Sequence, residues 1–195
     1  MTLLALIRHG PTTWNVEKRA QGRTDIPLSP EGRRAVETWQ APDALTDLAI
    51  FASPLSRTQE TARILFGRAT PEPRLIEMAW GEWEGRTISE LRTTLGAAMT
   101  ENEAQGFDFR PDGGESPRNV LDRVQPWIDE VAEAGDDVVA VTHLGVIRVV
   151  MATAHNWDML GKPPVKIRPA TAQLFDIAPG TIRVRQMNIP LRADK

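Results

Sequence analysis

The residues best suited to chemistry stand near the amino terminus, where the apolar run at 3–7 (Leu-Leu-Ala-Leu-Ile) leads straight into Arg8-His9-Gly10. Arg8 offers a rigid fork of donors matched to a phosphate or a carboxylate. His9 is the side chain that serves most readily as nucleophile or base near neutral pH. Gly10 lets the backbone come close to whatever these two side chains hold. The same arrangement recurs twice. Residues 48–52 (Leu-Ala-Ile-Phe-Ala) end at Ser53-Pro54, with Arg57 just beyond, and residues 137–142 end at His143. A cation at a helix start opposes the helix dipole, so Arg57 is expected to serve a purpose other than helix stability.

Short, uncharged apolar runs halted early by Gly, Pro or polar residues read as strands buried on both faces. Between them the spacing predicts helices. Ser29-Pro30-Glu31 has the form of an N-cap, a first-turn proline and a first-turn acid, and opens a helix to about Gln40. A second helix follows Arg57 through 58–66 and closes at Gly67. Thr87 and Glu90 form a capping box for a helix to about Leu95. Val120, Leu121, Val124, Trp127, Ile128 and Val131 line one face of a further helix, which Pro126 should bend or break. Residues 145–155 form an apolar helix. Residues 173–177 and 182–186, split by Pro179-Gly180, predict a closing hairpin. Residues 74–76 read as a short edge strand, 12–28 as a long polar loop and 100–115 as an irregular cap. This order predicts an α/β fold, a three-layer sandwich with a largely parallel central sheet and helices on both faces. Parallel strands place their carboxyl ends on one edge, where ligands of open α/β sheets bind. Arg8, His9, Ser53, Arg57 and His143 then meet. A phosphate dianion is the simplest ligand for two guanidiniums, with an imidazole positioned to attack phosphorus in line.

Composition narrows the partners. A chain of 195 residues, 41% hydrophobic, supports one sizeable core, and no stretch reads as a linker, so a single domain is expected. With 26 acidic and 23 basic side chains the formal charge is -3, which gives no electrostatic case for nucleic acid or an anionic membrane. An anion must therefore be captured locally. The absence of cysteine excludes thiol nucleophiles and thiolate metal sites. His9, His143 and His155 are the only histidines, His155 falls at a helix end, and no acidic ligand cluster stands near them, so no metal is expected. No signal peptide and no run long enough to span a bilayer is visible, and a cytoplasmic protein is the default. No motif specifies an oligomeric state.

Arg8-His9-Gly10, Trp14-Asn15, Gln21-Gly22, Pro27-Leu28-Ser29, Ser53-Pro54-Leu55-Ser56-Arg57-Thr58 with Glu60-Thr61, Leu75-Ile76-Glu77, Gly81 to Gly85, Gly113-Gly114-Glu115 and His143 to Arg148 occur in an order that resembles the histidine phosphatase superfamily, which includes phosphoglycerate mutase. The resemblance covers about residues 3–148. It implies that His9 is the nucleophile and becomes a phosphohistidine, that Arg8, Arg57 and His143 hold the phosphoryl oxygens, and that Glu77 is the general acid. Glu82 and Glu84 are rivals for the acid role. Asn15 matches a family position beside the phosphate. Gln21, Gly22 and Glu115 are expected near the mouth, with Trp80 or Trp83 as walls and residues 86–115 as a small cap. Two positions depart from the commoner pattern. Leu144 stands where glycine often follows the second histidine and bears on substrate binding, and Pro11 removes a backbone donor after Gly10. The resemblance implies a metal-independent phosphomonoesterase acting on a small phosphate ester without a cofactor. Its alternatives are a cofactor-dependent phosphoglycerate mutase, disfavoured by the short cap, and a non-catalytic phosphate-ligand binding domain, disfavoured by retention of His9, Glu77 and His143 together.

Overall fold

A computed structural model describes residues 1–191. In chain order the elements are β1 (Thr2–Arg8), α1 (Thr13–Val16), α2 (Pro30–Glu37), α3 (Asp43–Thr46), β2 (Ala49–Ala52), α4 (Ser56–Phe66), β3 (Thr70–Pro71), α5 (Ile88–Leu95), α6 (Ala97–Glu103), α7 (Pro117–Ala134), β4 (Val138–Thr142), α8 (Leu144–His155), β5 (Thr171–Ala178) and β6 (Thr181–Pro190). The strands form one sheet in the order β3-β2-β4-β1-β5-β6. The first four of that order run parallel, and β5 and β6 join antiparallel.

Alternation along the central strands divides the core in two. Leu4 and Leu6 of β1 and Val138 and Ala140 of β4 face α7 and α8, meeting Val120, Val124, Trp127, Ile128, Ile147 and Met151. Leu3, Ala5 and Ile7, with Val139 and Val141, face the other way onto Val36 of α2, Leu45 of α3 and Ala62 of α4. This is the three-layer α/β sandwich that the buried strands demand, since a sheet apolar on both faces must be covered on both. Leu4, Ala5, Ile7, Val139, Val141 and Ile147 are fully buried. No helix among the described residues is long and apolar enough to cross a membrane.

Several local expectations are corrected. Residues 74–76 are not an edge strand. Pro73 opens a 3-10 turn, Pro73–Leu75, which the Glu72 carboxylate caps at Arg74 N–H, and the edge strand is the earlier Thr70–Pro71. The 12–28 loop holds a helical turn, α1, because Thr12 and Asn15 cap one another reciprocally. A helix, α6, occupies much of the first part of the irregular 100–115 segment and starts before it. Helix α2 ends at Glu37, short of Gln40. Pro126 neither starts nor ends a helix, and α7 runs through it from Pro117 to Ala134 with its apolar face buried.

Candidate active site

Parallel register brings the reactive side chains together. Arg8 pairs with Thr142, and the ladder continues one step further as His9 N–H donates to the Thr142 carbonyl at 3.0 Å. Ser53 N–H donates to the Val141 carbonyl at 3.1 Å, so the end of β2 lies against the end of β4. His9 and His143 consequently face one another, ring centroids 5.2 Å apart and planes at 60°. Both are buried.

The hydrogen bonds define which nitrogens are free. His9 Nδ1 lies 2.6 Å from the Gly10 carbonyl, which can only accept, so the proton is assigned to Nδ1 and the lone pair to Nε2. His143 Nε2 lies 2.7 Å from Ser53 Oγ. Ser53 Oγ accepts from Leu55 N–H at 3.4 Å, leaving its own proton to donate to the imidazole. We assign His143 Nδ1 as the protonated nitrogen on that basis, and it has no protein acceptor. Burial, reinforced by the guanidiniums of Arg8 and Arg57, holds the His9 imidazole well below its usual pKa, against the opposing bond to Gly10. Burial does the same to His143, with His9 and Arg57 adding to it. Both shifts favour the neutral imidazole over the cation.

Arg57, at the start of α4, is fully buried. Its two terminal nitrogens donate to the carbonyls of Thr24 (2.9 Å) and Gly22 (2.8 Å). Its Nε, like that of Arg8, is buried with no acceptor in the protein. Arg8 Nε, Arg57 Nε and His143 Nδ1, carried just beyond the ends of adjoining parallel strands, are buried donors of the kind an anion accepts from. Arg57 is exempt from serving its helix, and its geometry gives the reason: it fastens the 22–24 turn while keeping one edge free.

Glu77 follows the 3-10 turn after β3. Its Oε1 accepts from Met78 N–H at 2.8 Å and its Oε2 from Gly145 N–H, in the first turn of α8, at 3.2 Å. Burial raises its carboxyl above the usual range, outweighing those two bonds and the attraction of Arg57 and Arg8. A carboxyl that keeps its proton beside an anion site can deliver it.

These groups open into a cavity of about 700 Å³ lined by Arg8, His9, Asn15, Gln21, Gly22, Arg57, Glu77 and Leu144, among others. The structure therefore assembles nearly the whole expected set, with Asn15 and Gln21 joined through the Thr12 hydroxyl. His143 and Glu115 are the exceptions. Neither lines the cavity: His143 is fully buried against His9, and Glu115 is engaged elsewhere. The Glu115 carboxylate accepts from Arg23 (2.7 Å), Arg123 (3.2 Å) and Ala79 N–H (3.0 Å). Arg123 in turn donates to the Ile76 carbonyl at 2.6 Å, so Glu115 braces the segment around Glu77 and holds no position at the mouth. Glu82 is exposed and outside the cavity. Glu84 accepts from the backbone of Arg23 (2.9 Å), Thr24 (2.9 Å) and Trp80 (3.1 Å), fastening the turn whose carbonyls hold Arg57. Trp80 lines the cavity, whereas Trp83 is buried with Leu91 and Met99. Gly10 is required for a reason other than ligand approach: a Cβ there would lie 2.3 Å from Val36 Cγ2, so helix α2 packs directly on its backbone.

Sequence reasoning gave no role to Ser53, which fixes His143, or to Thr61, whose hydroxyl accepts from Gly10 N–H at 3.0 Å. It also left Arg148 unassigned, although this residue lines the cavity. The spacing carried a signal, since Arg148 stands four residues after Leu144 and so shares its helix face. Among the described residues, no group of three or more His, Asp or Glu side chains is arranged to hold a metal ion.

Residues 4–190 match the Histidine phosphatase superfamily (branch 1). The chain is 35% identical over 179 residues to glucosyl-3-phosphoglycerate phosphatase of Mycolicibacterium vanbaalenii, covering 81% of this chain and 78% of that one. It is 29% identical over 163 residues to 2,3-bisphosphoglycerate-dependent phosphoglycerate mutase 2 of Gloeobacter violaceus, covering 77% and 74% respectively. The solved structure of Bacillus stearothermophilus YhfR superposes with a TM-score of 0.80 at 31% identity, over 95% of this chain and 96% of that one.

Proposed function

We propose, because this chain belongs to the histidine phosphatase superfamily, that it is a metal-independent phosphomonoesterase working through a phosphohistidine on a small phosphorylated metabolite. The observation that carries this reading is the free His9 Nε2 beside buried guanidinium and imidazole donors that have no acceptor in the protein. In the first step His9 Nε2 attacks phosphorus, the ester P–O bond breaks, and the Glu77 proton passes to the departing oxygen. Arg8, Arg57 and His143 Nδ1–H hold the phosphoryl oxygens, where charge is spread during transfer. In the second step the Glu77 carboxylate takes a proton from water, whose oxygen attacks phosphorus as the N–P bond breaks. Phosphate leaves and both groups return to their starting protonation. Asn15, Gln21 and Gly22 border the phosphate, and Leu144 narrows the leaving-group side.

The chain reads as one domain. Its segment 86–115 acts as a small cap: α5 and α6 pack on Trp83 in a cluster of their own, and Ile88, Met99 and Phe109 supply cavity wall. The reading includes a cytoplasmic setting. Return of the phosphoryl group to a second substrate hydroxyl would make the protein a mutase. The brevity of the cap, segment 86–115, favours water as acceptor.

Incubation with para-nitrophenyl phosphate and with 3-phosphoglycerate, each with EDTA, tests the reading. Phosphate release in EDTA, together with an acid-labile phosphoenzyme that His9→Ala abolishes, is expected. Loss of activity in EDTA, or turnover surviving His9→Ala, refutes it, and 2-phosphoglycerate formed from 3-phosphoglycerate identifies a mutase.

A further inference from the structure

Both peptide planes that flank His9 are pinned, and by different layers of the fold. The peptide before it is the last of the sheet ladder, where His9 N–H meets the Thr142 carbonyl of β4 at 3.0 Å. The peptide after it leaves the sheet, and its Gly10 N–H is met at 3.0 Å by the hydroxyl of Thr61, from the middle of α4. That hydroxyl has one proton, which it donates to the Arg57 carbonyl at 2.6 Å, so it is a lone pair that it turns to Gly10. Thr61 is fully buried.

Glycine is the residue least able to hold such a turn by itself. Pro11 has no N–H to contribute and is tied through its carbonyl to Ser29 N–H at 3.0 Å, before α2. The next main-chain donor, Thr12 N–H, is committed to Asn15 Oδ1 at 3.0 Å. The peptide between His9 and Gly10 is thus left to Thr61. Thr61 also stands one helical turn after Arg57, on the same face of α4. One helix therefore carries the guanidinium that meets the phosphoryl group and the hydroxyl that holds the backbone of the group attacking it. We propose that Thr61 is a positioning residue for the nucleophile: it fixes the peptide after His9, and so keeps His9 Nδ1–H on the Gly10 carbonyl and Nε2 at one spacing from Arg57. The proposal rests on the reading of His9 as the nucleophile of a phosphomonoesterase. Without the hydroxyl a buried N–H is orphaned and the peptide turns to find a partner, carrying the Gly10 carbonyl off His9 Nδ1. The ring then holds its proton on either nitrogen, and the Nε2–H form has no lone pair to offer phosphorus.

The test compares Thr61→Val, which exchanges hydroxyl for methyl at nearly constant volume, with Thr61→Ser, which keeps the acceptor. With para-nitrophenyl phosphate, kcat/KM should fall about tenfold to a hundredfold in Thr61→Val and stay within about threefold in Thr61→Ser, the scale set by misplacing a reacting group. Inhibition by inorganic phosphate, which reports Arg8 and Arg57 rather than the attack, should change by less than about twofold. Nitrogen NMR of the resting protein should show His9 as the Nδ1–H tautomer, becoming a mixture in Thr61→Val and not in Thr61→Ser. Amide exchange at Gly10 in the unmodified protein needs no variant to fold, and should be as slow as at His9. Full activity in Thr61→Val, an equal loss in Thr61→Ser, phosphate inhibition weakened in step with kcat/KM, an unaltered tautomer in Thr61→Val, or fast exchange at Gly10 overturns the proposal. Failure of the phosphatase reading shows elsewhere, as absent turnover and absent phosphoenzyme in the unmodified protein, whereas tautomer and exchange are read without substrate.

Discussion

Replacing Gly145 by alanine adds one methyl group and tests Glu77 without touching it. A Cβ at this position would stand 2.3 Å from Glu77 Oε1 and 3.1 Å from its Cδ, whereas ordinary contact begins at 3.4 Å. The carboxyl must therefore retreat by about 1 Å, and the 3.2 Å bond from Gly145 N–H is lost with it. Misplacement of a reacting group by about 1 Å costs on the order of a hundredfold in rate. The loss should fall on esters of alkyl alcohols, which need the proton as they depart, and much less on para-nitrophenyl phosphate, whose phenolate departs without one. Stability moves little. Alanine in a helix gains roughly 0.5–1 kcal/mol over glycine, and the broken bond returns about 0.5–1.5 kcal/mol, so Tm shifts by no more than about 4 °C. Steady-state kinetics over a series of leaving groups, with a thermal melt of the same preparation, provides the measurement. An equal loss for alkyl and aryl esters, or no loss at all, refutes Glu77 as the proton donor. In the double variant with Glu77→Gln the two effects should not add, because both remove one function.

The pH profile of kcat/KM should have an acid limb below the usual imidazole range, because buried His9 must lose a proton to attack, and an alkaline limb above the usual carboxylate range, because Glu77 must keep one. Glu77→Gln removes the alkaline limb, and its persistence would reassign that limb. Stability follows the same groups: below about pH 6.5 the unfolded chain binds protons that folded His9 and His143 refuse, so ΔG of unfolding falls with acidification by up to about 1.4 kcal/mol per pH unit for each. His9→Ala should flatten that slope in urea titrations at successive pH values. Glu77 acts in the opposite sense, its contribution fading as pH rises from the ordinary carboxylate value through its raised one. Ser53→Ala leaves His143 free to change tautomer and should lower kcat/KM by about tenfold, the worth of one buried neutral bond; an NMR tautomer assignment of His143 unchanged in the variant would contradict the bond's role. Glu84→Gln should loosen the 22–24 turn, raising KM and speeding amide exchange at Arg23 and Thr24, whose N–H groups it binds at 2.9 Å; unaltered exchange at those two amides would remove Glu84 from the support of Arg57.

Within the sequence, the buried strands, their order among the helices and the chemistry at their carboxyl ends were legible, because each depends on patterns only a few residues long. Leu3 to Ile7 alternates between two cores by the geometry of the strand itself, and parallel pairing then leaves Arg8, His9, Arg57 and His143 no other edge to occupy. The edge strand and the turn after it were misplaced because two residues of pairing and a carboxylate cap outweigh apolar spacing in so short a segment. What tertiary structure alone decided is which donors surround each acid. Glu77, Glu84 and Glu115 are alike in composition and setting along the chain. They part only in space, where Glu77 meets Gly145, 68 positions away, Glu84 meets Thr24, 60 away, and Glu115 meets Arg23, 92 away. A carboxylate's pKa and task come from burial and from the donors around it, and those donors are brought by folding from parts of the chain that no local pattern connects.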